Sequence, residues 1–225
     1  MRLPHHSVTR NYNIMNDWKL ILKVTIGSAV LLLLIIWGLS KMAGTEGGLK
    51  VDEKILIDGA RFVKENGDTK VTVVKFSDIQ CPSCRFAESE TKELFTMPGV
   101  KIVMRHFPLP ANVHKHALIS AKAVEAGRVL GKGWEMMGLM FDKQEEWSVV
   151  SNPEDLIVGY AKSLGLDEKI FKEKLKSNEV SDFVSLDARL ADSLRLSGTP
   201  TFFVNGEQVG APFVVDKVKQ LLDIK

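Results

Sequence analysis

Cys81 and Cys84 are the only cysteines in a chain of 225 residues, separated by Pro82 and Ser83. A disulfide closing so small a loop removes little chain entropy, so stabilisation is a poor reason for the pair. Redox chemistry is a better one. The run Val71 to Phe76 reads as a β-strand and a helical pattern begins at Arg85, which sets Cys81 at a helix N-terminus. Unpaired backbone N–H groups and the helix dipole favour an anion there, so Cys81 is expected to be a nucleophilic thiolate. Cys84, one turn on, is expected to attack the mixed disulfide that Cys81 makes.

Two other chemistries compete for the pair. Zinc normally takes four ligands, and without a second Cys pair it would have to recruit His106, His114 or His116. His114 and His116 are two apart and fall on different faces of a helix, so no metal is expected and these histidines read as surface or capping residues. Alternatively, both thiols are small buried hydrophobes. The proline between them and the strand-to-helix position favour the redox reading.

The elements that must position this site can be read along the chain. A short strand is expected at Ile55-Leu56-Ile57, then an irregular stretch with a turn at Asn66-Gly67, then the strand Val71 to Phe76. A helix follows from Arg85 to Phe95, with Phe86, Leu94 and Phe95 as its buried residues, and Val100 to Phe107 reads as a second central strand. From Val113 to about Leu196 the pattern is helical. Trp134, Met137, Met140 and Phe141 form one apolar stripe, and Phe183, Leu186, Leu190 and Leu194 are expected to face inward from a longer helix. The chain then returns to β at Thr201 to Val204, turns at Asn205-Gly206 as a hairpin, and ends in an amphipathic helix from Val214 to Ile224. Without the helical block, a small α/β redox fold remains.

Leu20 to Leu39 carries one charge, Lys23, and twenty helical residues span about 30 Å, the thickness of a bilayer's hydrocarbon. Arg2, Arg10, Lys19 and Lys23 precede the apolar run against Lys41 just after it, so the basic side is expected to stay cytoplasmic and the rest to cross. A cleaved signal peptide is the competing reading, but Lys41 stands where a cleavage site wants a small residue. Residues 1–43 carry a net +4 and residues 44–225 a net −2, so the basic balance belongs to the anchor and does not mark a nucleic-acid surface. The expected divisions are a cytoplasmic tail at 1–19, a transmembrane signal anchor at 20–42, a linker at 43–53, and a catalytic domain at 54–225 with its helical insertion at about 113–196.

The chain resembles the DsbA family of thiol:disulfide oxidoreductases. The resemblance is carried by Val74 to Cys84, Arg105-His106-Phe107-Pro108-Leu109, Gly131 to Trp134 with Gln144 to Trp147, and Gly198 to Gly206, and it covers about Ile55 to the C-terminus. It implies a thioredoxin-like α/β fold with an inserted all-helical domain, here preceded by one N-terminal transmembrane helix. It also implies that Pro200 is a cis proline facing the cysteines, with the Thr199 backbone free to pair with an extended substrate. Ser83 stands where the family often has His, and Lys75, six residues before Cys81, stands where related thioredoxin-like proteins carry a buried acid; Asp78 and Glu88 are the nearest acids. The activity implied is a membrane-anchored, extracytoplasmic oxidoreductase that introduces disulfides into exported proteins. A reductase or isomerase of the same fold, or a non-catalytic peptide- or metal-binding assembly factor, is the alternative. The Cys81–Cys84 disulfide is the only redox group required, exported cysteine proteins are the substrates, and a membrane thiol oxidase or reductase is the redox partner.

Overall fold

The computed structural model describes residues 14–43 and 48–224, and the chain divides into two compact units, 1–47 and 48–225. In the first unit, helix α1 runs over Ile14–Ala43 and exposes apolar side chains such as Ile21, Val24, Leu31 and Leu33. Among the described residues no helix is long and apolar enough to cross a membrane. The expected cytoplasmic tail and the glycines Gly44 and Gly47 of the linker lie outside the described residues, apart from the start of α1.

The second unit is built on a five-stranded sheet of order β1-β3-β2-β4-β5, from β1 (Phe62–Glu65), β2 (Val71–Ser77), β3 (Val100–His106), β4 (Thr201–Val204) and β5 (Glu207–Val209). Only β2 and β3 run parallel, in the register Ser77 opposite His106; the other pairs are antiparallel. Parallel neighbours need a crossover, and α3 (Pro82–Glu90) supplies it. Every residue of β2 is buried, because this central strand is covered on both faces. Val71 and Val73 pack towards Ala87 and the C-terminal α10 (Val214–Leu221), whereas Val74 and Phe76 pack towards α2 (Glu53–Ile57) and α9 (Asn178–Ser193).

The helical insertion between β3 and β4 contains α4 (Ala117–Val129), α5 (Gly133–Asp142), α6 (Gln144–Trp147), α7 (Glu154–Ser163), α8 (Glu168–Leu175) and α9. Its core joins Met136, Met137, Met140, Phe141 and Trp147 to Ile79, Cys81, Cys84 and Met104 in one apolar cluster. The cysteines therefore sit at the seam between sheet and insertion.

Four local expectations are corrected. Ile55–Ile57 is the end of helix α2 and not a strand, because Asp52 caps it by accepting from the Lys54 N–H, and this capping outweighs the β-branched side chains. Phe62–Glu65, expected to be irregular, is a strand because its edge pairs with β3 and buries Phe62. The linker expected over 43–53 is already part of the second unit from Gly48: Lys50 bridges to Glu207 and the Val51 N–H donates to the Gly206 carbonyl. In α9 the inward face is Val180, Val184, Asp187 and Ala191, while Leu186 is 41% exposed. The helix is turned so that Asp187 meets Arg105, whose guanidinium is buried and also donates to the Leu56 and Asp58 carbonyls.

That buried guanidinium ties β3 to α2 and α9, and removing one partner of a buried pair leaves the other uncompensated. Asp187→Ala is expected to cost about 3–5 kcal/mol, read as a lower urea midpoint with unchanged slope.

Candidate active site

Cys81 is the N-cap of α3 and Pro82 its first residue, where a proline's missing N–H costs nothing. Both cysteines are free thiols, Cys81 6% and Cys84 1% exposed. The neighbouring Cys84 thiol does most to lower the Cys81 pKa, to about 5, and Thr199 and the N–H groups of Cys84 and Ser83 add to it against the opposing effect of burial. For Cys84 the effects run the other way, since burial and the neighbouring Cys81 charge push its thiol far up. One cysteine is thus a ready nucleophile and the other holds its proton.

The bond between Thr199 and Pro200 is cis, and the Cys81 thiol lies 3.5 Å from the Thr199 carbonyl oxygen. The structure thus brings together Cys81, Pro82, Ser83, Cys84, Thr199 and Pro200. Lys75 lies on β2, the strand that leads into the site. It is 3% exposed, so it does not point into solvent, and its ammonium is ion-paired with Glu88 of α3, which offsets its charge. No direct contribution of Lys75 to the Cys81 thiolate is resolved, and stabilisation comes from hydrogen bonds instead.

Sequence reasoning missed the residues that hold the segment before Cys81. Asp78 is fully buried, and its carboxylate accepts from the backbone N–H groups of Gln80 and Leu109 and from His114 Nδ1, at 2.8, 2.9 and 2.8 Å. Gln144 of α6 donates to the Ile79 and Cys81 carbonyls. The His116 N–H donates to the Gln80 side chain, and its Nε2 lies 2.8 Å from the Val150 carbonyl. The histidines expected at the surface are therefore part of this clamp or, for His106, buried within β3. The signal was weak, because Leu109, His114, His116 and Gln144 each lie more than 30 residues from the partner they meet in that segment. Among the described residues no cluster of His, Cys, Asp or Glu could hold a metal ion. Phe86, expected to be buried, is 66% exposed, because Cys84 and Ala87 occupy the inner face of α3.

A dithiol of unequal acidity at a strand–helix junction, facing a cis-proline loop in this sheet order, defines a thioredoxin fold, and the helices between β3 and β4 give it the DsbA-like form. The chain belongs to the thioredoxin family, whose model, described as Thioredoxin, matches residues 63–224. Among solved structures it is similar to a thioredoxin-like oxidoreductase from Silicibacter pomeroyi, 27% identical with a TM-score of 0.63 over 77% of this chain and 96% of that one. It shares the fold of oxidised BdbD from Bacillus subtilis, 22% identical with a TM-score of 0.64 over 79% and 96%. A curated relative is the Na(+)/H(+) antiporter NhaA 3 of Salinispora tropica, 36% identical over 177 residues that make up 78% of this chain and 26% of the antiporter. Another from Herminiimonas arsenicoxydans is 30% identical, over 69% and 24%. The chain thus spans about a quarter of the length of the curated relatives it matches.

Cys81 reactivity towards iodoacetamide is expected to fall with a midpoint near pH 5, about the value of its thiol. Because that pKa is depressed, the thiolate stabilises the reduced fold above the ordinary thiol pKa, and this contribution is lost as pH falls through about 5. Thr199→Val removes one donor to the thiolate, and its midpoint, followed by ultraviolet thiolate absorbance, is expected to move up by up to about one pH unit.

Proposed function

We propose that this chain is a membrane-anchored thiol:disulfide oxidoreductase with its catalytic domain on the extracytoplasmic side, introducing disulfides into exported proteins. The observation that carries the reading is the placing of the dithiol, with Cys81 at the N-cap of α3, its sulfur 3.5 Å from the Thr199 carbonyl of the Pro200 loop and Cys84 buried behind it, an arrangement that lowers the Cys81 thiol to about 5 and pushes Cys84 up. A stabilised thiolate stabilises the reduced form, which makes the disulfide a better oxidant. In the forward reaction a substrate thiolate attacks Cys81 Sγ, the Cys81–Cys84 bond breaks, and Cys84 leaves and takes up a proton. A second substrate thiolate then attacks the mixed disulfide, so the substrate is oxidised and Cys81 departs as the thiolate. The backbone of Thr199, beside Cys81, is suited to hold an extended substrate strand, with Pro200 setting its edge. The two electrons stay on the sulfurs, so no metal or organic cofactor takes part, and a membrane thiol oxidase restores the disulfide.

The anchor rests on the sequence, on the apolar run Leu20 to Leu39 and the basic residues before it. A structure described as a thiol-disulfide exchange protein, alpha-DsbA2 from Wolbachia pipientis, shares the fold at 22% identity, and the antiporter names of the curated relatives support a membrane setting.

Cys84→Ser is expected to accumulate mixed disulfides with exported proteins on non-reducing gels, and Cys81→Ser to trap none; trapping by the second variant alone would reverse the two roles. For topology, protease added to intact spheroplasts is expected to digest residues 48–225 of a chain that fractionates with membranes. A soluble species starting near Ala43 would instead identify a cleaved signal.

A further inference from the structure

The loop that follows β3 sends three donors to the two residues that open the active-site turn. The parallel pairing of β2 with β3 ends at Ser77, whose carbonyl accepts from the Phe107 N–H at 2.9 Å. One step further on, the Leu109 N–H meets the Asp78 carboxylate at 2.9 Å in place of a strand carbonyl. His114 Nδ1 lies 2.8 Å from the same oxygen, Oδ2, and the His116 N–H donates to the side chain of Gln80. His114 is itself held in a turn, its N–H donating to the Pro110 carbonyl at 3.0 Å.

Asp78 passes this hold on to the dithiol. Its carbonyl accepts from the Cys81 N–H at 3.1 Å, and its own N–H favours the charged form of the Cys84 sulfur against the burial that opposes it. The carboxylate is fully buried, so it depends on its donors: Oδ1 accepts from the Gln80 N–H at 2.8 Å, and Oδ2 from Leu109 and His114. A carboxylate only accepts, so His114 carries its hydrogen on Nδ1. Two of the three donors are backbone N–H groups that almost any residue would supply, and His114 is the one side chain among them. A carboxylate that shifts to regain a lost donor turns the peptide groups on either side of the same Cα, and these are the groups that face the cysteines.

We infer that His114 is a positioning residue of the exchange reaction: by fixing the Asp78 carboxylate it keeps the turn from Asp78 to Cys81 in the geometry in which Cys84 reaches a mixed disulfide at Cys81. The inference rests on the exchange chemistry proposed above. His114 acts through Asp78 and not on a sulfur. Its effect is selective between the two steps of exchange. The attack of Cys84 on Cys81 is intramolecular, and its speed comes from sulfurs already held in line, which slack in the turn removes. The attack of Cys81 on a disulfide arriving from solution needs no such alignment with Cys84. Gln144 still holds the Ile79 and Cys81 carbonyls from α6 when His114 is replaced, so the turn loosens without unfolding.

The test mixes the reduced full chain, in detergent at neutral pH, with dithiobisnitrobenzoate and follows thionitrobenzoate by absorbance. The Cys81 thiolate attacks the reagent, forming a mixed disulfide and releasing one thionitrobenzoate. Cys84 then gives its proton to water and bonds to Cys81 Sγ, and the bond from Cys81 to the reagent breaks and releases a second. The first phase scales with reagent concentration and the second does not. His114→Ala is expected to leave the first phase within about twofold and to slow the second by about ten- to a hundredfold, the scale of a small misplacement. His114→Asn, whose side-chain amide donates from about the place of Nδ1, should recover most of that rate. In an Asp78→Asn background His114→Ala should add less than about twofold, as for two residues acting as one unit. A merely structural role would lower the melting temperature of His114→Ala and leave the second phase unchanged, or slow both phases alike; either result would overturn the inference, as would a His114→Asn protein as slow as the alanine variant. Wild-type protein that releases only one thionitrobenzoate would overturn the exchange reading itself.

Discussion

The close pairing of Cys84 with Cys81, one buried deeper than the other, is the interaction on which the rest of the site depends, because it makes two chemically identical side chains unequal. It requires one sulfur to be sealed and the other to remain within reach of a substrate. The sealing comes from the insertion, whose methionines, Phe141 and Trp147 enclose Cys84 in a single apolar cluster. The reach comes from the N-cap position, which leaves Cys81 Sγ beside the Thr199 carbonyl at the end of β4. Neither part of the fold can do both. A sheet with its crossover helix would leave Cys84 wet, and the helical block alone has no strand end from which to present a nucleophile.

Holding the two sulfurs in place is the task of groups that do no redox chemistry. The buried carboxylate of Asp78 gathers donors from the active-site turn, from the loop after β3 and from His114, so three chain segments are fixed by one side chain. Gln144 does the same from α6. Lys75 and Glu88 fasten the helix to the central strand one turn further down, with their opposite charges meeting inside the protein. A lysine at this position therefore has a structural explanation that does not involve the thiolate.

The dithiol, the Pro200 loop, the helical block and the Asn205-Gly206 hairpin were legible in the sequence, because each is signalled by a few consecutive residues or by one periodicity. Asn205 and Gly206 do take the positive φ values that such a turn demands. What was not legible depends on partners distant in sequence. Asp78 and His114 are 36 residues apart, and Gln144 and Ile79 are 65 apart, so neither contact leaves a local pattern. The rotation of α9 failed for a related reason: its apolar stripe of Phe183 and leucines is real, but a buried arginine on β3 claims Asp187 for the interior. Helix α2 leaves an equally weak mark, because two isoleucines favour a strand by composition and only the single capping aspartate points to the helix.

The short β5 strand would be an open sheet edge if the chain did not cover it itself. Gly48 to Val51 lies along it, with the Gln208 N–H donating to Leu49 and Lys50 bridging to Glu207. Gly48 and Gly206 are both places where a side chain would collide with opposing backbone, of Gln208 and Val51 respectively, so the fit admits no larger residue. An uncovered edge offers unpaired backbone groups to other chains. A recombinant domain begun at residue 54 would lose this cover and invite strand-to-strand association, whereas one begun at Gly48 would keep its edge closed, so the choice of starting residue decides whether the isolated catalytic unit is colloidally stable.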